Sequence, residues 1–356
     1  MNNNDVVSSR YLIRKHVGRG GMQDVYLAVD QLLGLEVALK TPLAGQPDRR
    51  FIQSAKIAAR VNHHNVAKTL DYFEENGRLF LIEEFVSGET LEVKLNRFGA
   101  VDPHLGARVF HHLSKGVAAS HHAGVVHRDL KPSNIIAESG INLHELKITD
   151  FGIATLTEEV FAQAAKDGDL TRSTSGTIRG ALPYMAPEMM FRSPGDHPGS
   201  AADIWSLGAM MFRLLTGEYP FGVYLDAAVN VKNQTRKDWP GFMIRNPQYK
   251  PLSEELQNII ERCLSYNPQE RPSADKLVEE FSKLCYINVH RTEGVVTNLI
   301  QNGHSGFASD AESIVFFSME SVYGTRKPST GTNSRICYSK FPGSPRQRGH
   351  PIVVID

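Results

Sequence analysis

Between Tyr11 and Val86 the apolar residues alternate in short runs broken by turns, whereas beyond Leu91 they recur at helical spacing. The first pattern predicts strands, most clearly at Val25 to Val29, Glu36 to Lys40 and Leu79 to Ile82. One helical stretch, about Arg49 to Val61, interrupts them with Phe51, Ala55, Ala58 and Ala59 on one face. The second pattern predicts helices over Arg108 to Ala123, Ser200 to Leu215, Glu254 to Ser265 and Ser273 to Leu284. Ser273, after Pro272, offers an N-cap for the last of these. A small β-rich part, 11–86, therefore precedes a larger helical part, 87–285. Residues 1–10 are polar and predict a disordered N-terminus.

After about Tyr286 the pattern changes. From Ser321 to Val354 there is no acidic residue, while Arg326, Lys327, Arg335, Lys340, Arg346 and Arg348 are basic and Gly, Pro, Ser and Thr are dense. This composition predicts a partly ordered basic tail, 286–356, suited to lying in a groove of the same chain or binding an acidic partner. Two short apolar runs, Ser313 to Met319 and Pro351 to Ile355, leave strands or docking onto the body as the alternative.

Composition narrows the class. A chain of 356 residues exceeds the usual reach of a single core, so two lobes or domains are expected. Lys plus Arg equals Asp plus Glu at 39 each, so no global field argues for nucleic acid or membrane. Cys263, Cys285 and Cys337 lack the spacing of a zinc site or a disulfide framework. No apolar run approaches the roughly 18 residues of a membrane span, and the N-terminus lacks the marks of a signal peptide. A cytoplasmic protein is the expectation.

The candidate chemistry lies in four segments. Gly18-Arg19-Gly20-Gly21-Met22-Gln23-Asp24-Val25 is a glycine-rich turn of the kind that presents backbone amides to phosphate. Lys40 ends a strand. His127-Arg128-Asp129-Leu130-Lys131-Pro132-Ser133-Asn134 and Asp150-Phe151-Gly152 follow in that order. Together they resemble the eukaryotic-type (Hanks-type) serine/threonine protein kinases, bacterial members in particular, over about Tyr11 to Leu284.

The resemblance implies an α+β, bilobal protein kinase fold, with ATP and magnesium (manganese as an alternative) as cofactors. Gly18, Gly20 and Gly21 would cover the phosphates and Lys40 would grip them. Asp129 would orient the acceptor hydroxyl and Lys131 would contact the transferring phosphate, while Asn134 and Asp150 would hold metal. Val25 and Ala38 match the roof of the adenine pocket and Ile136 its floor, with Glu83, Glu84 and Val86 on the strand leading into the hinge. Glu188 and Arg271 match a structural ion pair, and Asp203 the brace of the catalytic loop. Arg128 implies an anionic partner on the activation segment, for which Ser173, Ser175, Thr174 and Thr177 are the candidates.

Three positions depart from the family pattern. Ser54 stands where the N-lobe helix carries a glutamate, and no acidic residue occurs between Arg49 and Leu70. Glu83 occupies the gatekeeper position, normally apolar, where a buried carboxylate requires a partner. Ala181 replaces the threonine whose hydroxyl bonds the catalytic aspartate. The first two suggest that Glu83 pairs with Lys40 in place of the missing glutamate. The expected function is an autophosphorylating serine/threonine kinase with unidentified protein substrates and no nucleic-acid partner. The alternative is a pseudokinase acting as a scaffold.

Overall fold

A computed structural model describes residues 1–19, 23–43, 55–151, 180–191, 198–301, 303–330 and 334–355. Six strands form one antiparallel sheet in the order β1-β2-β3-β4-β6-β5: β1 Val6–Val7, β2 Tyr11–Arg19, β3 Gln23–Asp30, β4 Leu35–Pro42, β5 Thr69–Glu75 and β6 Arg78–Glu84. Because strand side chains alternate faces, Val37, Leu39, Phe80 and Ile82 enter one core while Ala38, Lys40, Leu81 and Glu83 share the other side. Residues 55–58 are helical; the rest of the stretch expected from Arg49, Ser54 included, lies outside the described residues.

The N-terminal expectation of disorder is corrected. Val6 pairs with Leu12 and Val7 with Tyr11 across a tight reversal, and Val7 is buried in the sheet's core. Val7 in that core and Met1 packed against it dock the otherwise mostly polar decapeptide.

The helical part contains α1 Leu91–Phe98, α2 Pro103–His122, α3 Pro187–Met190, α4 Ala201–Thr216, α5 Tyr224–Lys232, α6 Phe242–Arg245, α7 Lys250–Cys263 and α8 Ala274–Lys283. A small sheet of β7 Glu89–Thr90, β8 Ile135–Ala137 and β9 Leu146–Ile148 is built from strands that flank α1 and α2 in sequence. α2 starts five residues before the apolar pattern does. Asp102 caps it by accepting from the amides of His104 and Leu105, and Pro103 fits the first turn, whose orphan amide it lacks. α4 is almost wholly buried, and its Gly208 lets α7 approach: a Cβ there would stand 2.7 Å from that of Cys263. Among the described residues no helix is long and apolar enough to cross a membrane.

The basic tail, too, is corrected: it is a folded β-unit. β10 Thr292–Leu299, β11 Ser305–Ser309, β12 Ile314–Ser318, β13 Val322–Tyr323, β14 Arg335–Phe341 and β15 Arg348–Ile355 make a second six-stranded sheet. The two apolar runs noted above become β12 and β15, whose inward residues fill the unit's own core. Tyr323, Cys337, Val353 and Ile355 instead join the core of the helical lobe. Arg291 seals the junction. Its guanidinium reaches Asp102 at 2.8 Å, both side chains being essentially inaccessible, and its backbone is clasped by the Asn142 amide at 2.7 and 3.3 Å.

Candidate active site

The catalytic loop is held from below. Asp203, wholly buried near the start of α4, accepts from the amides of His127 at 2.8 Å and Arg128 at 2.7 Å. Those two bonds fix a backbone that Arg128 enters with φ +63°, a left-handed conformation unfavourable for a side-chain-bearing residue. His121 also contacts Asp203 at 2.8 Å, and His127 binds the Thr149 carbonyl at 2.9 Å, tying the loop to the segment carrying Asp150.

On this support the Asp129 carboxylate is buried with two donors. The Lys131 ammonium lies 2.7 Å from Oδ2 and 3.0 Å from Oδ1, and the Asn134 amide donates at 3.1 Å to Oδ2 and at 2.8 Å to the Asp129 carbonyl. With its nitrogen so occupied, Asn134 keeps its carbonyl oxygen as an available hard ligand.

Opposite this loop, Lys40 makes a buried ion pair with Glu83 and another with Asp150 at 2.7 Å. Register explains the first contact: Ala38 faces Glu83 and Lys40 faces Leu81, so lysine and glutamate are diagonal neighbours on the cleft side of adjacent strands. Burial alone would lower the Lys40 pKa, but the carboxylates of Asp150 and Glu83 outweigh it and hold the ammonium well above its ordinary range. Burial pushes the Glu83 carboxyl up against the pull of Lys40. Asp150 is held down despite its own burial, chiefly by Lys40.

One contact was not anticipated from sequence. Gln23, at the place of the third glycine of the loop, sends its amide across the cleft to Asp150 Oδ1 at 2.8 Å. The signal was present, a long amide where glycine is usual, but its partner lies 127 residues away. Asp150 adopts φ +62°, so a strained backbone presents this carboxylate.

Gly18, Val25, Ala38, Lys40, Glu83, Glu84, Val86, Ile136 and Asp150 line one cleft of about 420 Å³, together with Val17, Thr90, Ser133 and Thr149, which sequence reasoning did not single out. That volume falls within the range of small-molecule sites. Glu84 turns aside to Lys147 at 2.9 Å. Glu188 meets Arg271 in a two-pronged pair at 2.7 and 2.9 Å beside α4, away from Asp129. Ala181 is buried and supplies no hydroxyl. Gly20 and Gly21, and the candidates Ser173, Thr174, Ser175 and Thr177, lie outside the described residues.

The sequence has relatives among known proteins. Over 276 residues the chain is 33% identical to serine/threonine-protein kinase pkn3 of Myxococcus xanthus, covering 75% of this chain and 48% of that protein. It is 30% identical to serine/threonine-protein kinase PrkC of Bacillus subtilis, covering 74% and 39%. It is 33% identical to serine/threonine-protein kinase PkaA of Streptomyces coelicolor, covering 76% and 49%. The chain thus aligns with half or less of the length of these curated relatives. The family model described as protein kinase domain matches residues 11–281, and the chain belongs to the protein kinase family.

Proposed function

We propose that this chain transfers the γ-phosphoryl group of ATP to serine or threonine hydroxyls of proteins, through an N-lobe of 11–86 and a C-lobe of 87–285. The observation that carries the reading is the Asp129 carboxylate, gripped by Lys131 at 2.7 Å and Asn134 at 3.1 Å on the loop whose Ser133 lines the same cleft as Lys40 and Asp150.

Phosphoryl transfer asks little covalent chemistry of a protein; positioning and charge do most of it. Asp129 accepts the hydrogen bond of the acceptor hydroxyl and takes its proton as the new P–O bond forms and the bond from the γ-phosphorus to the bridging oxygen breaks, releasing ADP. Lys131, already beside that carboxylate, neutralises charge on the phosphoryl group in flight. Lys40 holds the phosphates nearer the nucleoside, and the apolar Val25, Ala38 and Ile136 enclose the base.

Members of the family use a divalent cation with ATP. Asp150 and the Asn134 carbonyl oxygen suit such an ion, magnesium by their hardness and manganese as the alternative, and it would neutralise the β- and γ-phosphate charge. Glu83 serves as the counter-ion of Lys40 in place of the missing helix glutamate. Autophosphorylation at Ser173, Ser175, Thr174 or Thr177, supplying the anion for Arg128, belongs to the same reading and is checked by phosphopeptide mass spectrometry.

The decisive experiment is incorporation of label from [γ-³²P]ATP into the protein and into myelin basic protein. We expect label that is lost in Asp129→Asn and Asp150→Ala. Label equal to that of the two variants would leave a pseudokinase scaffold, the reading that Gln23, Ser54, Glu83 and Ala181 favour.

A further inference from the structure

The β-unit that follows the kinase region is a closed barrel. β10 pairs antiparallel with β11 and with β14, β11 with β12, and β14 with β15. β12 then meets β15 in parallel, Phe316 opposite Arg348, which closes five strands on themselves. Val296, Ala308, Val315, Phe317, Ile336, Tyr338, Ile352 and Val354 fill the interior. Closed five-stranded barrels of this connectivity present the outer face of their second and third strands, and the adjoining loops, to oligonucleotides or oligosaccharides. A fold does not assign a ligand, so the side chains on that face must.

They point to single-stranded nucleic acid. Phe307 on β11 and Phe316 on β12 are cross-strand partners on the outside of the barrel, where solvent reaches both rings. The rings stand edge to face, centroids 5.8 Å apart. The Arg348 guanidinium lies 5.9 Å from the centre of the Phe316 ring. Ile314, two residues before Phe316 on the same face, is 43% exposed, and Val295 on β10 is 37% exposed. β11 and β12 contribute none of the described residues that form the core shared with the helical lobe.

A cationic loop borders the rings. The β14–β15 connection, with every residue from Pro342 to Arg348 exposed, carries Arg346 and Arg348. It is pinned against β12 by the Phe316 amide donating to the Gln347 carbonyl at 2.9 Å. No acidic residue occurs between Ser321 and Val354. The turn of the β11–β12 hairpin carries two: Asp310, engaged by Lys340 and by Tyr338 at 2.9 Å each, and Glu312, whose exposed carboxylate lies 3.2 Å from the Lys340 ammonium.

We propose that this face binds single-stranded RNA or DNA, with bases stacking on Phe307 and Phe316 and phosphates meeting Arg346 and Arg348. Rings beside guanidinium groups match a polymer that alternates flat π-faces with anions; a duplex hides its base faces and would not use the rings. A neutral total charge is no obstacle, because the charge that matters is local. It does imply modest affinity and a shallow salt dependence, with two phosphate contacts giving a slope of roughly −1.4 in log K against log salt.

The test uses the full chain and fluorescein-labelled oligouridylate, oligothymidylate and a duplex of equal length, read by anisotropy. Single strands should bind better than the duplex, and the tighter of the two single strands identifies RNA or DNA as the ligand. Phe307→Ala/Phe316→Ala should weaken binding by at least about tenfold, at a stacking contribution of about 1–3 kcal/mol per base. Phe307→Leu/Phe316→Leu, which keeps apolar bulk but removes the ring faces, should weaken it similarly with Tm and phosphotransfer unchanged. Arg346→Ala should reduce the salt slope by about 0.7. Duplex binding as tight as single-strand binding, affinity indifferent to the leucine pair, or no anisotropy change up to about 100 μM protein would overturn the proposal.

Discussion

Lys40 and Arg291 are both cations buried beyond the reach of solvent, yet they are balanced differently. Arg291 meets one carboxylate, Asp102, which is also the N-cap of α2, so the junction closes as a neutral one-to-one pair. Lys40 meets two carboxylates, Glu83 and Asp150, leaving an excess of negative charge beside the hard oxygen of Asn134. A structural ion pair is complete as folded, whereas a site that must receive a cation and a polyphosphate is left electrostatically unfinished. The same comparison separates rigid from adjustable parts. Glu83 belongs to the strand next to Lys40, so sheet register fixes the pair, whereas the usual helix glutamate depends on how its helix is positioned.

The largest expected effect is at the balanced pair. Arg291→Ala leaves Asp102 buried and charged without its partner, and unfolding should be easier by about 3–5 kcal/mol in a denaturant titration. Asp102→Asn with Arg291→Met should recover more than half of that loss, because asparagine still caps α2 and no bare charge remains. A loss under about 1 kcal/mol in the single variant would mean that water reaches the pair.

Glu83→Met is the corresponding break at the unbalanced site, and its signature should differ. Lys40 still has Asp150, and methionine replaces a carboxylate that burial disfavours, so stability should hold or rise. Activity should fall: kcat/KM by roughly 10- to 100-fold, with weaker ATP binding by calorimetry, because Lys40 is then drawn onto the carboxylate that must serve the metal. Full activity and full ATP affinity in this variant would remove Glu83 from its assigned role.

These two sites also mark what the sequence discloses. Asp129, Lys131, Asn134 and Asp150 are legible because phosphoryl transfer demands particular residue types at fixed local spacings. The diagonal of Lys40 and Glu83 is legible too, because an unpaired charge in an apolar strand demands a partner. The barrel is not. β10 carries a bulge between Val296 and Asn298, and the parallel contact that closes the barrel rests on Phe316 and Arg348, distant in sequence. Its basic, Gly- and Ser-rich loops outweigh the alternating strands in any composition window. The first turn of α2 is hidden for a related reason: Pro103 breaks the periodicity that it in fact initiates.

Acid should loosen the balanced site before the catalytic one. His350, stacked on Tyr249 with centroids 5.5 Å apart and close to His104, is pushed down to about 4, chiefly by burial. Unfolded, it takes up its proton near pH 6.5. The unfolded chain therefore binds more protons below that pH, and stability falls as pH drops from about 6.5 to 4. After allowance for partial exposure the loss should be about 2 kcal/mol. Glu83, raised by burial, acts in the opposite sense, adding stability as pH falls towards its unfolded value, so the informative quantity is the difference between parent and His350→Phe. That variant should flatten the profile between pH 6.5 and 4; an unchanged profile would show that the imidazole is already protonated in the fold.

The smallest effect concerns a neutral contact at the unbalanced site. Gln23 gives its amide to Asp150 Oδ1, the oxygen that Lys40 also uses, so a metal approaching Asp150 must compete with a neutral donor as well as with the lysine. An intramolecular hydrogen bond to a charged group contributes about 1.5–3 kcal/mol, but much of that returns once the freed amide meets water or phosphate. Gln23→Gly should therefore change apparent metal affinity by only about 3- to 10-fold, and it should tighten it. The measurement is titration of manganese by its paramagnetic effect on water relaxation, with and without ADP, which reads binding directly and not turnover. Tighter manganese binding without nucleotide and a smaller change with ADP would show that the amide occupies the metal's place until the nucleotide displaces it. Weaker binding would instead make the Gln23 carbonyl oxygen part of the metal's own surroundings, and the site would then be less unfinished than Lys40 and its two carboxylates suggest.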